Sequence, residues 1–334
     1  MSELPRGQAW QTDLEAAFVQ ARRLISACAE QKGEVLYLGS LELDRLPSEI
    51  SALTWLRELR MFGGSISDFT PLTPLTNLEL LEIGSLKCPF PGLDFMRDWD
   101  KLQDLDIITP SAVDVKPAAA CLGLKRLTIW CTPRQVDLLN LETLSGLRAI
   151  EHVSFYGMAS ERFDTLTQWP RLKFVQLTNP TLATLAGFER LDRLEDLSIR
   201  GASISDLSPL AGLTSLEQLV VHDTEISDLS PLVRLHRLEK LDISGTPACD
   251  LGPWNVLAHV NVNSISDSEV SKQSGGGIRA GGTSGSRDPK LQTWLLWQIL
   301  KPSNILISAI QPSPRSRHCT PKATCDTSPL LVPR

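Results

Sequence analysis

The chain has no C-x-x-C pair, and its seven cysteines, at 28, 88, 121, 131, 249, 319 and 325, are scattered and odd in number. A disulfide or zinc framework is not expected, and reduced thiols in a cytoplasm are the simpler reading. The opening stretch, MSELPRGQAWQTDLEAAF, has no basic segment followed by an apolar run, so no secretory leader is expected. No apolar run reaches the roughly 18 residues a transmembrane helix needs. Aromatics are scarce at 6%, with two Tyr against eight Trp.

Catalytic signatures are also missing. There is no G-x-S-x-G, no H-E-x-x-H and no cysteine flanked by a plausible base. The glycines of SKQSGGGIRAGGTSGSRDPK lack the lysine of a phosphate-binding loop. No enzyme activity and no cofactor are expected. Nucleic acid is not the expected partner either. Residues 1–270 hold 24 basic and 37 acidic side chains, whereas phosphate binding needs clustered Lys and Arg. Residues 271–334 reverse the balance, with nine Lys/Arg and two Asp/Glu.

What is present is a repeat. The phrase I-S-D-L-S-P-L begins at Ile204 and again at Ile226, 22 residues later. Aligned on L-x-x-L-x-L, the chain reads Leu194-Leu197-Ile199, Leu216-Leu219-Val221 and Leu238-Leu241-Ile243. Backwards come Leu172-Val175-Leu177, Ile150-Val153-Phe155, Leu124-Leu127-Ile129, Leu102-Leu105-Ile107, Leu78-Leu81-Ile83 and Leu56-Leu59-Met61. Most steps are 22 residues; the step to 102 is 24 and the step to 150 is 26. VLYL at 35–38 reads as a first strand and HVNV at 259–262 as a last one.

A period of about 20–29 with this wording marks a leucine-rich repeat. Alternating apolar residues turn one face of a short strand inward, and the following I-x-x-L-x-x-L segment sends more apolar side chains into the same core. One coil cannot bury its own edge, so coils must stack. The expected fold is an α/β solenoid of about 10–11 coils, with a parallel concave sheet and short 3₁₀ or irregular convex segments. Pro71, Pro209, Pro231 and Pro253 disfavour long helices in the return segments. Asp206 and Asp228 are placed to cap backbone N–H groups there.

Over about residues 15–262 the sequence resembles bacterial leucine-rich repeat proteins of the internalin-like type, which carry the I-S-D-L-S-P-L phrase. LELDRLPSEISALTWLREL has the L-P-x-x-I-x-x-L-T-x-L wording of that group. The family's Asn, three residues past L-x-L, is replaced by Gly64, Leu86, Pro110, Thr132, Met158, Pro180, Ala202, Thr224 and Thr246. The asparagine ladder is therefore mostly absent, and irregular coils are expected over 78–170. The resemblance implies a bacterial protein that binds another protein, and the scattered thiols place it inside the cell.

Four segments are expected. Residues 1–32 hold a capping helix, with Leu14, Ala17, Phe18, Ala21, Leu24, Ile25 and Cys28 on one face; a partner-binding helix is the alternative. Residues 33–263 form the repeat domain. Residues 264–290 are a Gly/Ser-rich linker. Residues 291–334 form a basic, mostly unstructured tail containing the apolar LQTWLLWQIL. That segment is too short to span a bilayer but long enough to lie weakly on a membrane surface. The abrupt change of composition after the repeats also fits a shifted reading frame or an incidental extension.

Candidate binding residues are those facing out of the sheet. Ile108, Trp130 and Tyr156 should be neighbours in consecutive coils, flanked by Arg126, His152 and Phe174, with Phe62, Arg200 and His222 further along. Exposed aromatics beside an Arg are typical of interface anchors. The competing reading buries Trp130 inside the irregular coil between 124 and 150. His152 and His222 should lie about three coils apart, at roughly 5 Å per strand, too far for one site. Asp104 and Asp106 share one face and read as a solvated acidic rim, with cation binding as the weaker alternative. The expected function is a non-enzymatic module gripping a protein partner. The alternative is an effector or regulatory chain whose tail adds membrane association or a lost or partial second activity.

Overall fold

The computed structural model describes residues 14–39, 41–132, 137–158, 163–178, 181–248 and 260–263. The expected linker and tail lie outside the described residues. The chain begins with helix α1, Leu14–Gln31, and continues into β1, Val35–Gly39. Then follow β2 Glu58–Phe62, β3 Leu80–Gly84, β4 Asp104–Thr109, β5 Val113–Asp114, β6 Arg126–Cys131, β7 Leu138–Leu139 and β8 His152–Tyr156. The last strands are β9 Phe174–Thr178, β10 Asp196–Arg200, β11 Gln218–His222, β12 Lys240–Asp242 and β13 Asn261–Asn263.

All strands except β5 and β7 join one eleven-stranded sheet, in chain order. Every neighbour pair is parallel. This is the stacked-coil solenoid that the periodicity implies. The last strand lies one to two residues later than HVNV suggests; His259 is outside the described residues.

The cause is visible strand by strand. In β2 the residues Leu59 and Met61 are buried while Glu58, Arg60 and Phe62 are half-buried on the other face. The same alternation recurs in β8, β9 and β11. Each inward Leu or Ile removed from water contributes roughly 1.5–3 kcal/mol, so every coil has a comparable reason to stack.

The longer steps do not disturb the sheet. Leu81 pairs with Leu105 and Leu127 with Val153 in unbroken register. The extra residues are taken up in the return segments, where β5 and β7 form a separate two-stranded ladder. The irregularity expected over 78–170 is therefore confined to that side.

Most return segments carry short 3₁₀ turns, with Pro71, Pro209 and Pro231 in the first positions of theirs. Proline fits there because the first N–H groups of a turn have no internal partner. Asp68, Asp206 and Asp228 each accept a bond from the amide two residues on, at 2.7–2.8 Å. These are Asx turns set one residue before the N-cap rather than true N-caps.

Three residues before each L-x-x-L lies another core position. Leu holds it at 53, 75, 147, 191, 213 and 235, Cys at 121, and Trp at 99 and 169, all buried. The two indoles donate to the preceding coil, Trp99 to the Thr73 carbonyl at 3.2 Å and Trp169 to the Leu144 carbonyl at 2.9 Å. Helix α1 lies against β1 and buries Ala21, Ile25 and Cys28, with Ala17, Phe18 and Leu24 partly buried beside them. It thereby covers the apolar edge that the first coil leaves open. Leu14 is exposed.

Candidate functional site

The side chains that alternate away from the core form three rows across the sheet. In the parallel register, same-row neighbours sit one strand apart, about 4.8 Å. One row runs Ile108, Trp130, Tyr156, Thr178, Arg200, His222. Another runs Asp104, Arg126, His152, Phe174, Asp196. Between them lie Arg60, Glu82, Asp106, Thr128, Ser154 and Gln176.

Two aromatic stacks occupy this face. The rings of Trp130 and Tyr156 lie 4.5 Å apart at 20°. Those of His152 and Phe174 lie 5.7 Å apart at 28°. All four side chains are half-buried and none belongs to the core. The reading that buried Trp130 inside its coil is thus excluded. The ring is held between the sheet and its neighbour.

Hydrogen bonds and charge fix this surface. The Tyr156 hydroxyl donates to Gln176 Oε1 at 2.8 Å, and burial raises its pKa above the usual phenol value. Burial, with Arg126 adding to it, lowers the pKa of His152 and so favours the neutral imidazole. Arg126 lies 3.6 Å from Asp104 across the β4–β6 seam.

Three of the expected site residues lie apart from this cluster. Phe62 is cut off from Ile108 by Gly84, which sits between them in the row. Gly84 has φ +128°, and a Cβ there would collide with the Ile108 carbonyl oxygen. Arg200 and His222 are register partners on β10 and β11, beyond Thr178. His222 Nδ1 is 2.9 Å from Asp223 Oδ2 and three strands from His152.

The acidic residues depart from expectation. Asp104 is half-exposed, as a rim residue would be. Asp106 is only partly solvated: its Oδ1 is buried and has no hydrogen-bond partner. Burial raises its pKa, and the charge of Asp104 adds to the push; Thr128, Arg126 and Arg60 oppose it. Its register partner Glu82, unremarked in the sequence, is pushed up to about 7 by burial, against the pull of Arg60 and with the help of Asp106, Glu58 and Asp104. Arg60 lies 3.1 Å from Glu82 and 3.4 Å from Glu58. Three successive middle-row residues of the repeat, Arg60, Glu82 and Asp106, were the available signal.

Stacked parallel strands, one per coil, joined by short 3₁₀ turns and closed by a helix, define a leucine-rich repeat fold. Solved structures share this architecture. The functional domain of InlJ from Listeria monocytogenes, which includes a cysteine ladder, aligns with TM-score 0.55 at 14% identity, over 75% of this chain and 60% of that one. A TDR receptor aligns with TM-score 0.56 at 18% identity, over 69% of this chain and 42% of that one. An internalin, InlF, also from Listeria monocytogenes, aligns over 73% of this chain and 94% of that one, at 18% identity and TM-score 0.46. At these identities the likeness is one of fold. No protein-family model and no curated protein sequence matches the chain.

Proposed function

We propose that the chain is a non-enzymatic binding module that holds a protein partner on the outward, concave face of its sheet. The observation that carries this reading is the pair of aromatic stacks left half-exposed on an otherwise open face. Rings already held by a neighbour lose little side-chain entropy on binding, and aromatic and Arg side chains dominate interface energetics. Trp130, Tyr156, His152 and Phe174 are the anchors, with Ile108 and Arg126 beside them. Phe62, Arg200 and His222 act, if engaged, as separate flanking contacts. The spread of the two outward histidines over three strands supports a surface for binding rather than a site for catalysis.

We also place the protein in a cytoplasm, a reading supported by the free thiols of Cys28, Cys88, Cys121 and Cys131. The test is a comparative affinity capture from native cytosol, read by mass spectrometry. The baits are the full chain, its Trp130→Ala/Tyr156→Ala variant and a Leu122→Ser variant; Leu122 is exposed and lies outside the strands of the sheet. A partner retained by Leu122→Ser and lost by the double variant is the expected result. A partner retained by all three baits would move binding off this face.

A further inference from the structure

We propose that Glu82 and Asp106 form a proton-sharing carboxyl pair, so that this part of the sheet face carries one negative charge fewer until the shared proton leaves. The two residues are register partners on the adjacent strands β3 and β4, and both point out of the core. Their side chains start about 5 Å apart, and like charges directly opposed across strands are destabilising. Both are largely withdrawn from water, which disfavours a second negative charge further.

The surrounding cations do not cancel the pair. From β2, Glu58 and Arg60 face it, and the Arg60 guanidinium is divided between Glu58 and Glu82. From β4, Asp104 adds a third carboxylate beside Asp106. From β6, Arg126 lies nearest Asp104, and Thr128 supplies a hydroxyl to Asp106. Four carboxylates thus face two guanidiniums. One oxygen, Asp106 Oδ1, is left buried without a donor. A proton held between the two carboxyls removes one of the opposed charges and supplies a donor within the pair. The upward shifts of both groups agree with this arrangement. Because the groups interact, the protons leave in two steps that belong to the pair, the later one near neutrality.

The test follows carboxyl-carbon NMR signals of the full chain, labelled with ¹³C at Glu and Asp, from pH 4.5 to 9. It needs no binding partner, so its failure and the failure of the binding reading are separate events. The expected result is one carboxyl titration with a midpoint near 7 that disappears in Glu82→Gln. In Asp106→Asn the Glu82 midpoint should fall by about one unit or more as the opposed charge is removed. All Glu and Asp midpoints lying below about 5.5 in the unsubstituted chain would overturn the proposal. So would a Glu82 midpoint that Asp106→Asn leaves unmoved. Should Asp106→Asn not fold, Arg60→Gln provides the second reading, with the remaining Glu82 midpoint expected to rise.

Discussion

Trp130 offers the sharpest test of how the face is built. Trp169 is fully buried and its indole is bonded to the Leu144 carbonyl, whereas Trp130 is half-buried and stacked on Tyr156. Truncating a fully buried Trp to Ala costs about 3–5 kcal/mol. A stacked aromatic pair is worth about 0.5–1.5 kcal/mol beyond its buried area. Half of the burial term, about 1.5–2.5 kcal/mol, plus the stack puts Trp130→Ala at about 2–4 kcal/mol. The assay is urea unfolding followed by far-ultraviolet circular dichroism, with both single variants run beside the unsubstituted chain. Trp169→Ala should unfold at clearly lower urea than Trp130→Ala. Adding Tyr156→Ala to Trp130→Ala should cost less than the sum of the singles, because the stack is lost only once. If Trp130→Ala destabilises as much as Trp169→Ala, the ring is a core element, and its role as a binding anchor fails.

Other outcomes follow from the same structure. The pKa of Glu82 rises from 4.5 to about 7 on folding, so its proton stabilises the fold below about pH 4.5, and that contribution is lost as pH rises through 7. At about 1.4 kcal/mol per unit the loss is at most about 3.5 kcal/mol, less after solvent screening of the partly exposed carboxyl. Urea midpoints at pH 5 and pH 8 should therefore diverge between the unsubstituted chain and Glu82→Gln; parallel profiles would contradict this. Gly84→Ala should destabilise far more than Gly92→Ala. Both glycines have positive φ, but only Gly84 lies against the neighbouring backbone. The φ penalty alone is about 1–2 kcal/mol, and equal unfolding midpoints for the two variants would refute the close β3–β4 approach. Burial pushes the Cys121 and Cys131 thiols up to about 12. Alkylation at pH 8 with peptide mapping should label neither until the chain is unfolded, and fast labelling of either would show that it is accessible.

The coils were legible because their cause is local. Leu197, Leu219 and Leu241 recur at the step that makes them register partners, so sequence spacing translates directly into spatial order. The same translation found Ile108, Trp130 and Tyr156, since row membership needs only the strand and the parity. What sequence could not supply was depth. Asp104 and Asp106 have the same parity and the same charge, yet one is half-exposed and the other is largely withdrawn from water. The difference comes from neighbours on β3 and β6, and their side-chain packing is not encoded in any single repeat. The separation of Phe62 from the cluster has a similar origin: a row is continuous in register even where a glycine leaves a gap in side chains.

The two buried indoles have a consequence for how the solenoid comes apart. In a stack of coils, loss of structure spreads from an end, one nearest-neighbour interface at a time. Most of those interfaces are fastened by the strand ladder and by interchangeable leucines. At Trp99 and Trp169 a buried indole also grips the backbone of the coil before it, as Trp55, Asn77 and Ser85 do nearer the first strand. These two positions act as stops in a zipper. Fraying that begins at the β13 edge should halt at the coil of Trp169, leaving β1 to β9 as a longer-lived unit in hydrogen exchange. Both aromatic stacks lie within that unit, with Trp130, Tyr156 and His152 well inside it and Phe174 on its last strand. The surface proposed for binding therefore sits on the most durable stretch of the sheet, while the strands beyond it are free to open first.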